Sequence, residues 1–296
     1  MDEHKVAVQR MQDYIQENLY SVITIKDLAK ASLYSPWYSY RLFLEYLHMT
    51  PAVYVRRMRL SKAALKLRDN HIRIIDVAFE AGFESVDGFQ RAFSKEFGCN
   101  PYEYSLHPTP IFLFTPYGIL YDNQRKVDEK MKEVKNIFIT EVERPKRKVI
   151  LKRGISAEDY WKYGEEVGCD VWGLLLSIPS IVGEPICMWL PKQYVTPGTS
   201  IYVQGTEVPM DYTGSLPEGF EIIELPACKY LKFQGEPFAE ENFGEAIEEV
   251  QQAIHKADLE AMGYTLDRSN PRIQLEPIGT RGYIELIPVL KKETLA

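Results

Sequence analysis

The sequence predicts a multidomain chain: an all-α domain made of a duplicated helix-turn-helix unit, followed by an α+β domain built from two β-α-β-β repeats. Three observations predict it. Residues 1–107 repeat an order of small, aromatic and basic residues at an offset of 49 to 50. Residues 136–296 alternate strand-like and helix-like segments and carry a weaker duplication of their own. The charge divides between the same two halves: residues 1–107 hold 14 Lys/Arg and 13 Asp/Glu, a net of +1, whereas residues 108–296 hold 21 and 29, a net of −8. A length of 296 residues suits two domains at roughly 100–200 residues each.

Composition excludes several classes. The best apolar stretch, Trp172 to Gly183, is broken by Ser177 and Pro179 and falls short of the ~20 residues that span a bilayer. The N-terminus MDEHKVAVQR lacks the apolar core of a secretory signal. Cys99, Cys169, Cys187 and Cys228 form no CxxC pair, and none of the five histidines pairs into a metal site. A cytoplasmic protein with no membrane association, no metal and no cofactor is expected. The whole-chain charge of −7 does not argue against nucleic acid, because the acidity belongs to the second half.

In the first half, Ile25, Asp27 and Ala29 meet Ile74, Asp76 and Ala78; one inserted residue near Glu84 then shifts the register. Beyond it Ser35, Arg41, Phe43, Pro51 and Tyr54 meet Ser85, Arg91, Phe93, Pro101 and Tyr104. A leading helix is expected over residues 5–19. Thr24 and Asp27 make a capping box for the next helix, with Ile25, Leu28 and Ala29 facing inward. Leu33-Tyr34 is the turn, Ser35 the next cap, and Pro36 takes the first helical position, where a missing N–H does no harm. The second copy runs through Ile74–Ala78, a turn at Gly82, and a helix capped by Ser85 that ends near Gly98. Asn100-Pro101 opens a short closing helix, as Thr50-Pro51 opens a long one.

The second helix of each unit has an inward face, Leu42, Phe43 and Leu47 in one and Phe89, Ala92 and Phe93 in the other. The outward faces carry Trp37, Tyr40 and Arg41, and Asp87, Gln90 and Arg91. Arg reads guanine bidentately and Gln can pair with adenine, so these faces suit base edges. The alternative for each residue is a solvated or half-packed position. The connecting helix from Thr50 to about Asp69 spans ~30 Å at 1.5 Å per residue, near the ~34 Å repeat of the major groove. It carries Arg56, Arg57, Arg59, Lys62, Lys66 and Arg68, which are candidate phosphate contacts or an ordinary solvated face.

The stretches ITIKDLAKASLYSPWYSYRLFLEYLHMTPAVYVRRMRL and IIDVAFEAGFESVDGFQRAFSKEFGCNPYEY resemble the double helix-turn-helix domain of AraC/XylS regulators over about residues 5–106. The resemblance implies that both second helices enter adjacent major grooves. It places Ser35, Pro36, Trp37, Tyr40 and Arg41 at the first DNA contact, and Ser85, Val86, Asp87, Gly88, Gln90 and Arg91 at the second. Leu33 departs from the glycine usual at the first turn, so a less sharp or a strained turn is expected there. Asp87 brings a negative charge toward DNA, and Val86 and Gly88 offer no side-chain donor. Reading therefore leans on Arg41, Gln90 and Arg91.

Residues 108–135 are expected to connect the halves. The segment PTPIFLFTP is apolar enough to pack on one of them, and residues 122–135 are charged. Strands are expected at Ile137–Val142, Lys148–Leu151, Ile186–Leu190, Ser200–Gly205, Glu221–Leu225, Lys229–Phe233, Arg272–Glu276 and Tyr283–Pro288. Helices are expected at Ala157–Val167 and Glu240–Met262. The EVERPKRKVILKRG and IELPACKYLKFQG pair and the terminal GYIELIPVLKK resemble the GyrI-like effector-binding domain over residues 136–296. That domain binds drug-like molecules, and the resemblance implies that the glutamate of its final strand, matched by Glu285 in the run Glu-Leu-Ile-Pro-Val, points into the groove between halves. On a strand, Tyr283, Glu285 and Ile287 share a face. The carboxylate is then either at a solvated edge or at a pocket floor, where burial unpaired would cost several kcal/mol or neutralise the group, and a cationic ligand would remove that cost. Tyr160, Trp161, Trp172 and Trp189 are candidate walls, since aromatic faces attract cations; packing in the core is the alternative for each.

The two resemblances together describe a Rob-like regulator. They imply double-stranded DNA, a small-molecule effector and RNA polymerase as partners, and a monomer or weak dimer. Two other functions compete. Some GyrI-like proteins hydrolyse reactive, strained-ring compounds, and Glu285 with Tyr283 could act as general base and helper. A drug-sequestering module that does not read DNA is the third.

Overall fold

The computed structural model describes residues 3–70, 72–116, 118–119, 136–168, 170–239 and 242–292. Two compact units divide at Arg125 and Lys126.

The first unit is helical: α1 (Glu3–Glu17), α2 (Ile25–Ser32), α3 (Pro36–Leu47), α4 (Pro51–Asp69), α5 (Ile74–Glu80), α6 (Val86–Phe97) and α7 (Pro101–Leu106). The local signals explain the boundaries. Asp27 N donates to the Thr24 hydroxyl and Thr24 N to the Asp27 carboxylate, closing the capping box before α2. Ser35, Thr50, Ser85 and Asn100 cap α3, α4, α6 and α7, and a proline follows the cap in three of the four. The core gathers Val8, Met11 and Ile15 of α1, Leu28 of α2, Leu42 and Phe43 of α3, and Tyr54, Val55 and Met58 of α4. Helix α4 is the strut: it packs on α3 at one side and on α5, α6 and α7 at the other. Residues 108–116 and 118–119 lie on these helices. Phe114 packs edge-on against Tyr54 at 5.2 Å, Phe114 N donates to the Ser61 hydroxyl, and Ile119 N donates to Gln12.

Among the described residues the second unit is a nine-stranded sheet with three α-helices: β1 (Phe138–Arg144), β2 (Arg147–Arg153), α8 (Tyr160–Val167), α9 (Asp170–Ser177), β3 (Ile186–Trp189), β4 (Tyr202–Val208), β5 (Glu221–Leu225), β6 (Cys228–Gln234), α10 (Phe243–Lys256), β7 (Tyr264–Leu266), β8 (Arg272–Gln274) and β9 (Ile284–Lys291). Strand order is β1-β6-β9-β8-β3-β4-β2-β5, with β7 added to β9. The expected strand-helix-strand-strand repeat is β2-α8/α9-β3-β4 and β6-α10-β8-β9. Each copy has a leading strand that crosses over: β1 pairs with β6 and β5 with β2. The Glu-x-Pro pattern therefore marks a corner between the halves, at Pro145 and at Pro226. Arg147, wholly buried, ties the two corners. Its guanidinium donates to the carbonyls of Pro145 and Pro226, the Tyr230 hydroxyl and Glu207.

Two expected helices need correction, and one helix was not expected. The helix over Glu240–Met262 stops at Lys256; Gly263, at φ 85°, turns the chain into β7, which the sequence pattern concealed. Helix α9 accounts for the apolar run after Asp170: Val171, Trp172, Leu174 and Leu175 are buried, and its short length hides any polar face. The helix expected from Ala157 begins at Tyr160, because the Asp159 carboxylate caps it by accepting from Lys162 N at 2.8 Å.

Candidate nucleic-acid interface and ligand groove

Helices α3 and α6 are locked from behind and open in front. Behind α3, the Ser32 and Ser39 hydroxyls share a buried 2.7 Å hydrogen bond, and Phe43 packs edge-on against Tyr54. In front, Trp37 is 69% exposed, with Tyr40 and Arg41 also exposed. The Arg41 guanidinium lies 5.2 Å from the Trp37 ring centroid and 4.9 Å from that of Tyr38, so it is positioned before any ligand arrives. On α6, Phe89 and Phe93 are fully buried, Asp87 and Arg91 exposed and Gln90 half-buried. Arg91 Nε donates to the Asp87 carbonyl at 3.3 Å, folding the side chain over the helix N-terminus. The hydroxyls of Ser35 and Ser85 are occupied as caps, accepting from Tyr38 N and Gly88 N. Pro36, Val86 and Gly88 have no side-chain hydrogen-bond donor.

The basic residues of α4 divide. Arg56 and Lys62 are exposed. Arg57 pairs with Glu96 at 2.6 Å and stacks on Phe114, Lys66 pairs with Glu80, and Arg68 pairs with Asp69. Arg59 donates to the carbonyls of Leu19 and Ser21, holding the α1–α2 connection to α4. Four of the six candidate phosphate contacts thus have partners within the fold.

In the second unit, alternation and register bring a polar cluster to one face of the sheet. Glu285 lies opposite Gln274, Gln274 opposite Cys187, Arg272 opposite Trp189, and Trp189 opposite Tyr202. The other face carries the apolar core of Val149, Leu151, Met188, Val203, Ile273 and Leu286. Glu285 is fully buried and has partners within the fold. Its Oε1 accepts from the Tyr283 hydroxyl at 2.6 Å and from Gln251 of α10 at 3.2 Å. Its Oε2 accepts from Arg272 Nε at 2.6 Å, and Nη2 of the same guanidinium lies within ion-pair reach of it. Three donors thus serve the two oxygens of this carboxylate. The Arg272 guanidinium also sits 4.7 Å from the Trp189 ring centroid. Burial, together with the neighbouring Glu285 charge, holds the Tyr283 phenol well above its ordinary pKa, so it stays protonated and donates. Burial likewise pushes the Cys187 thiol up to about 12, which keeps it an inert neighbour.

Of the candidate walls, Trp189 is in the cluster: its indole N–H donates to the Glu158 carbonyl and its ring meets Tyr202 edge-on at 4.9 Å. Tyr160 and Trp161 stand on α8, where Trp161 is partly exposed and faces Phe243 of α10 at 6.1 Å. Trp172 is corrected: at 4% exposure, packed with Tyr163 and Tyr202, it is core and has no ring face to offer. Arg272, Gln274, Gln251 and Tyr202 were missed. The signal for Arg272 was its place on an expected strand, but pairing it with Glu285 requires the β8–β9 register. Among the described residues no helix is long and apolar enough to cross a membrane, and no group of His, Cys, Asp or Glu could hold a metal ion.

Comparison with known proteins covers both units. The helix-turn-helix domain family matches residues 28–106, and the integron-associated effector binding protein family matches residues 181–288. The regulatory protein SoxS of Salmonella typhimurium is 36% identical over 101 residues, which are 34% of this chain and 94% of SoxS. The HTH-type transcriptional activator AarP of Providencia stuartii is 31% identical over 96 residues, 32% of this chain and 71% of AarP. The solved structure of SAV2435 bound to tetraphenylphosphonium aligns with 52% of this chain and 94% of that one, at 14% identity and a TM-score of 0.34. With SoxS matched over nearly its whole length and an effector-binding family matched behind it, this chain belongs to the AraC-type transcriptional regulators, as a DNA-binding helix-turn-helix domain followed by an effector-binding domain.

Proposed function

We propose that this regulator reads an asymmetric DNA site as a monomer through α3 and α6, and that a small organic cation bound over the Glu285 face of the second unit biases that reading. The observation that carries the first part is the pair of capped helices at either end of α4, each with a buried aromatic back and an exposed arginine front. At 19 residues, α4 is ~28 Å long, close to one turn of the major groove. Arg41, Gln90 and Arg91 carry direct readout, Trp37 and Tyr40 supply apolar contact, and Arg56 and Lys62 meet phosphates. The second part rests on a buried carboxylate beside an aromatic platform.

The test is fluorescence anisotropy on a selected duplex library with the full chain, Arg41→Ala and Arg91→Ala. Each substitution is expected to cost about 1–3 kcal/mol and to relax preference at one sub-site only. Weak, sequence-independent binding that neither substitution changes would overturn the readout. A hydrolase is the poorer reading. A general base must accept a proton, whereas Tyr283 and Gln251 both donate to Oε1 of Glu285 and a cation, Arg272, neutralises Oε2.

A further inference from the structure

We propose that Arg272 is a built-in occupant of the effector site, and that the site takes a planar, delocalised cation that replaces this guanidinium between Glu285 and Trp189. The inference rests on reading this face as the effector site and adds how it is guarded. Arg272 makes the two contacts that a bound aromatic cation would make: a charge-assisted pair with a buried carboxylate and a stack on an indole.

The surroundings have partners other than Arg272. Trp189 is pinned by its hydrogen bond to Glu158 and by Tyr202, and Tyr202 is held in turn by its hydroxyl donating to Gln274 at 3.0 Å. The Tyr283 hydroxyl and Gln251 keep Oε1 of Glu285. Arg272 itself is 28% exposed while Glu285 is fully buried, so the long side chain has a route to water that the carboxylate lacks.

Charge then becomes the condition for entry. Withdrawing Arg272 alone strands a buried carboxylate, which is costly. Exchanging it for another cation leaves the charge of the buried cluster unchanged, and the guanidinium is rehydrated outside. A neutral molecule of the same shape offers no such exchange. An anion would add repulsion from Glu285 once the arginine left.

The probe is 10-methylacridinium, a planar fluorescent cation, titrated into the full chain by fluorescence, with uncharged acridine in alkaline buffer as its counterpart. Arg272→Met is expected to tighten 10-methylacridinium binding by about tenfold or more, as when an occluded ground state leaves about a tenth of the molecules open. Arg272→Lys, which keeps a charge but loses the flat stack, falls between the two. Glu285→Gln is expected to weaken binding at least as much, and acridine is expected to respond to none of these changes. Near-ultraviolet circular dichroism establishes that each variant is folded; Arg272→Lys carries the test if Arg272→Met is not. If Arg272→Lys and Arg272→Met bind the probe like wild type while Glu285→Gln loses it, the occupant falls and the effector site stands. If Glu285→Gln binds like wild type, or no variant binds the probe, the site reading falls and takes the inference with it.

Discussion

At the scale of single residues, the two turns of the helical unit solve one problem differently. Both need the left-handed region. Gly82 enters it at φ 80° without penalty, whereas Leu33 enters at φ 64° with a side chain 76% exposed. A non-glycine residue there costs ~1–2 kcal/mol, and Leu33 recovers little by packing. Leu33→Gly is therefore expected to stabilise the unit. The gain is roughly 0.5 kcal/mol after the extra unfolded-state entropy of glycine, read as a rise of a few degrees in thermal midpoint. Gly82 has a second constraint: a Cβ there would lie 2.5 Å from Nη1 of Arg59, the residue that ties α4 to the α1–α2 connection. Gly82→Ala is expected to destabilise by about 1–3 kcal/mol. Chemical denaturation of both variants checks the contrast, and equal effects at the two turns would contradict it.

Among the elements, α8 and the crossed leading strands show what was legible and what was not. The carboxylate of Glu166 accepts from the N–H groups of Ile155, Ser156 and Ala157 and from the Ser156 hydroxyl, tying the loop before α8 to its last turn. The Ser156 hydroxyl and these N–H groups lower its pKa from 4.5 to about 2. A depressed carboxylate stabilises the fold above the ordinary glutamate range and loses that contribution as pH falls toward 2. Tryptophan fluorescence followed down that range should report loosening around Trp161, and Glu166→Gln should remove this part of the pH dependence. The corners give a second prediction. Arg147→Met leaves buried Glu207 without its 2.5 Å partner and is expected to cost ~3–5 kcal/mol. Adding Glu207→Leu should recover much of it; if it does not, the work of Arg147 lies in its bonds to Pro226 and Tyr230. Caps such as Thr24, Ser35 and Ser85 were readable because their partners lie within a few residues. The crossing of β1 and β5 was not, since Glu-x-Pro has the same local pattern at a hairpin and at a corner. Nor was the pairing of Arg272 with Glu285, which depends on strands set side by side by the whole sheet.

For the whole molecule, the division of charge makes a prediction that no single contact does. Residues 1–119 keep the net +1 of the helical unit, the helices of its core and the residues Phe114 and Ile119 that pack on them, while the remainder carries −8. The acidic half sets up a field that opposes approach to a polyanion whatever its position relative to DNA. The piece 1–119 is therefore expected to bind non-specific duplex several-fold more tightly than the full chain at low salt, with the same order of preference among specific sites. Preference should be unchanged because Arg41, Gln90 and Arg91 all lie within the piece. The gap should close as salt rises through about 0.15 M, where the Debye length is ~8 Å and long-range repulsion is screened. Anisotropy titrations of both proteins across a salt series measure it. A gap that persists in high salt would mean that the second unit acts on DNA binding by contact or by shifting a conformational equilibrium, the route an effector must use. In that case a cation bound at Glu285 should change the gap in the full chain and leave the binding of the piece 1–119 untouched.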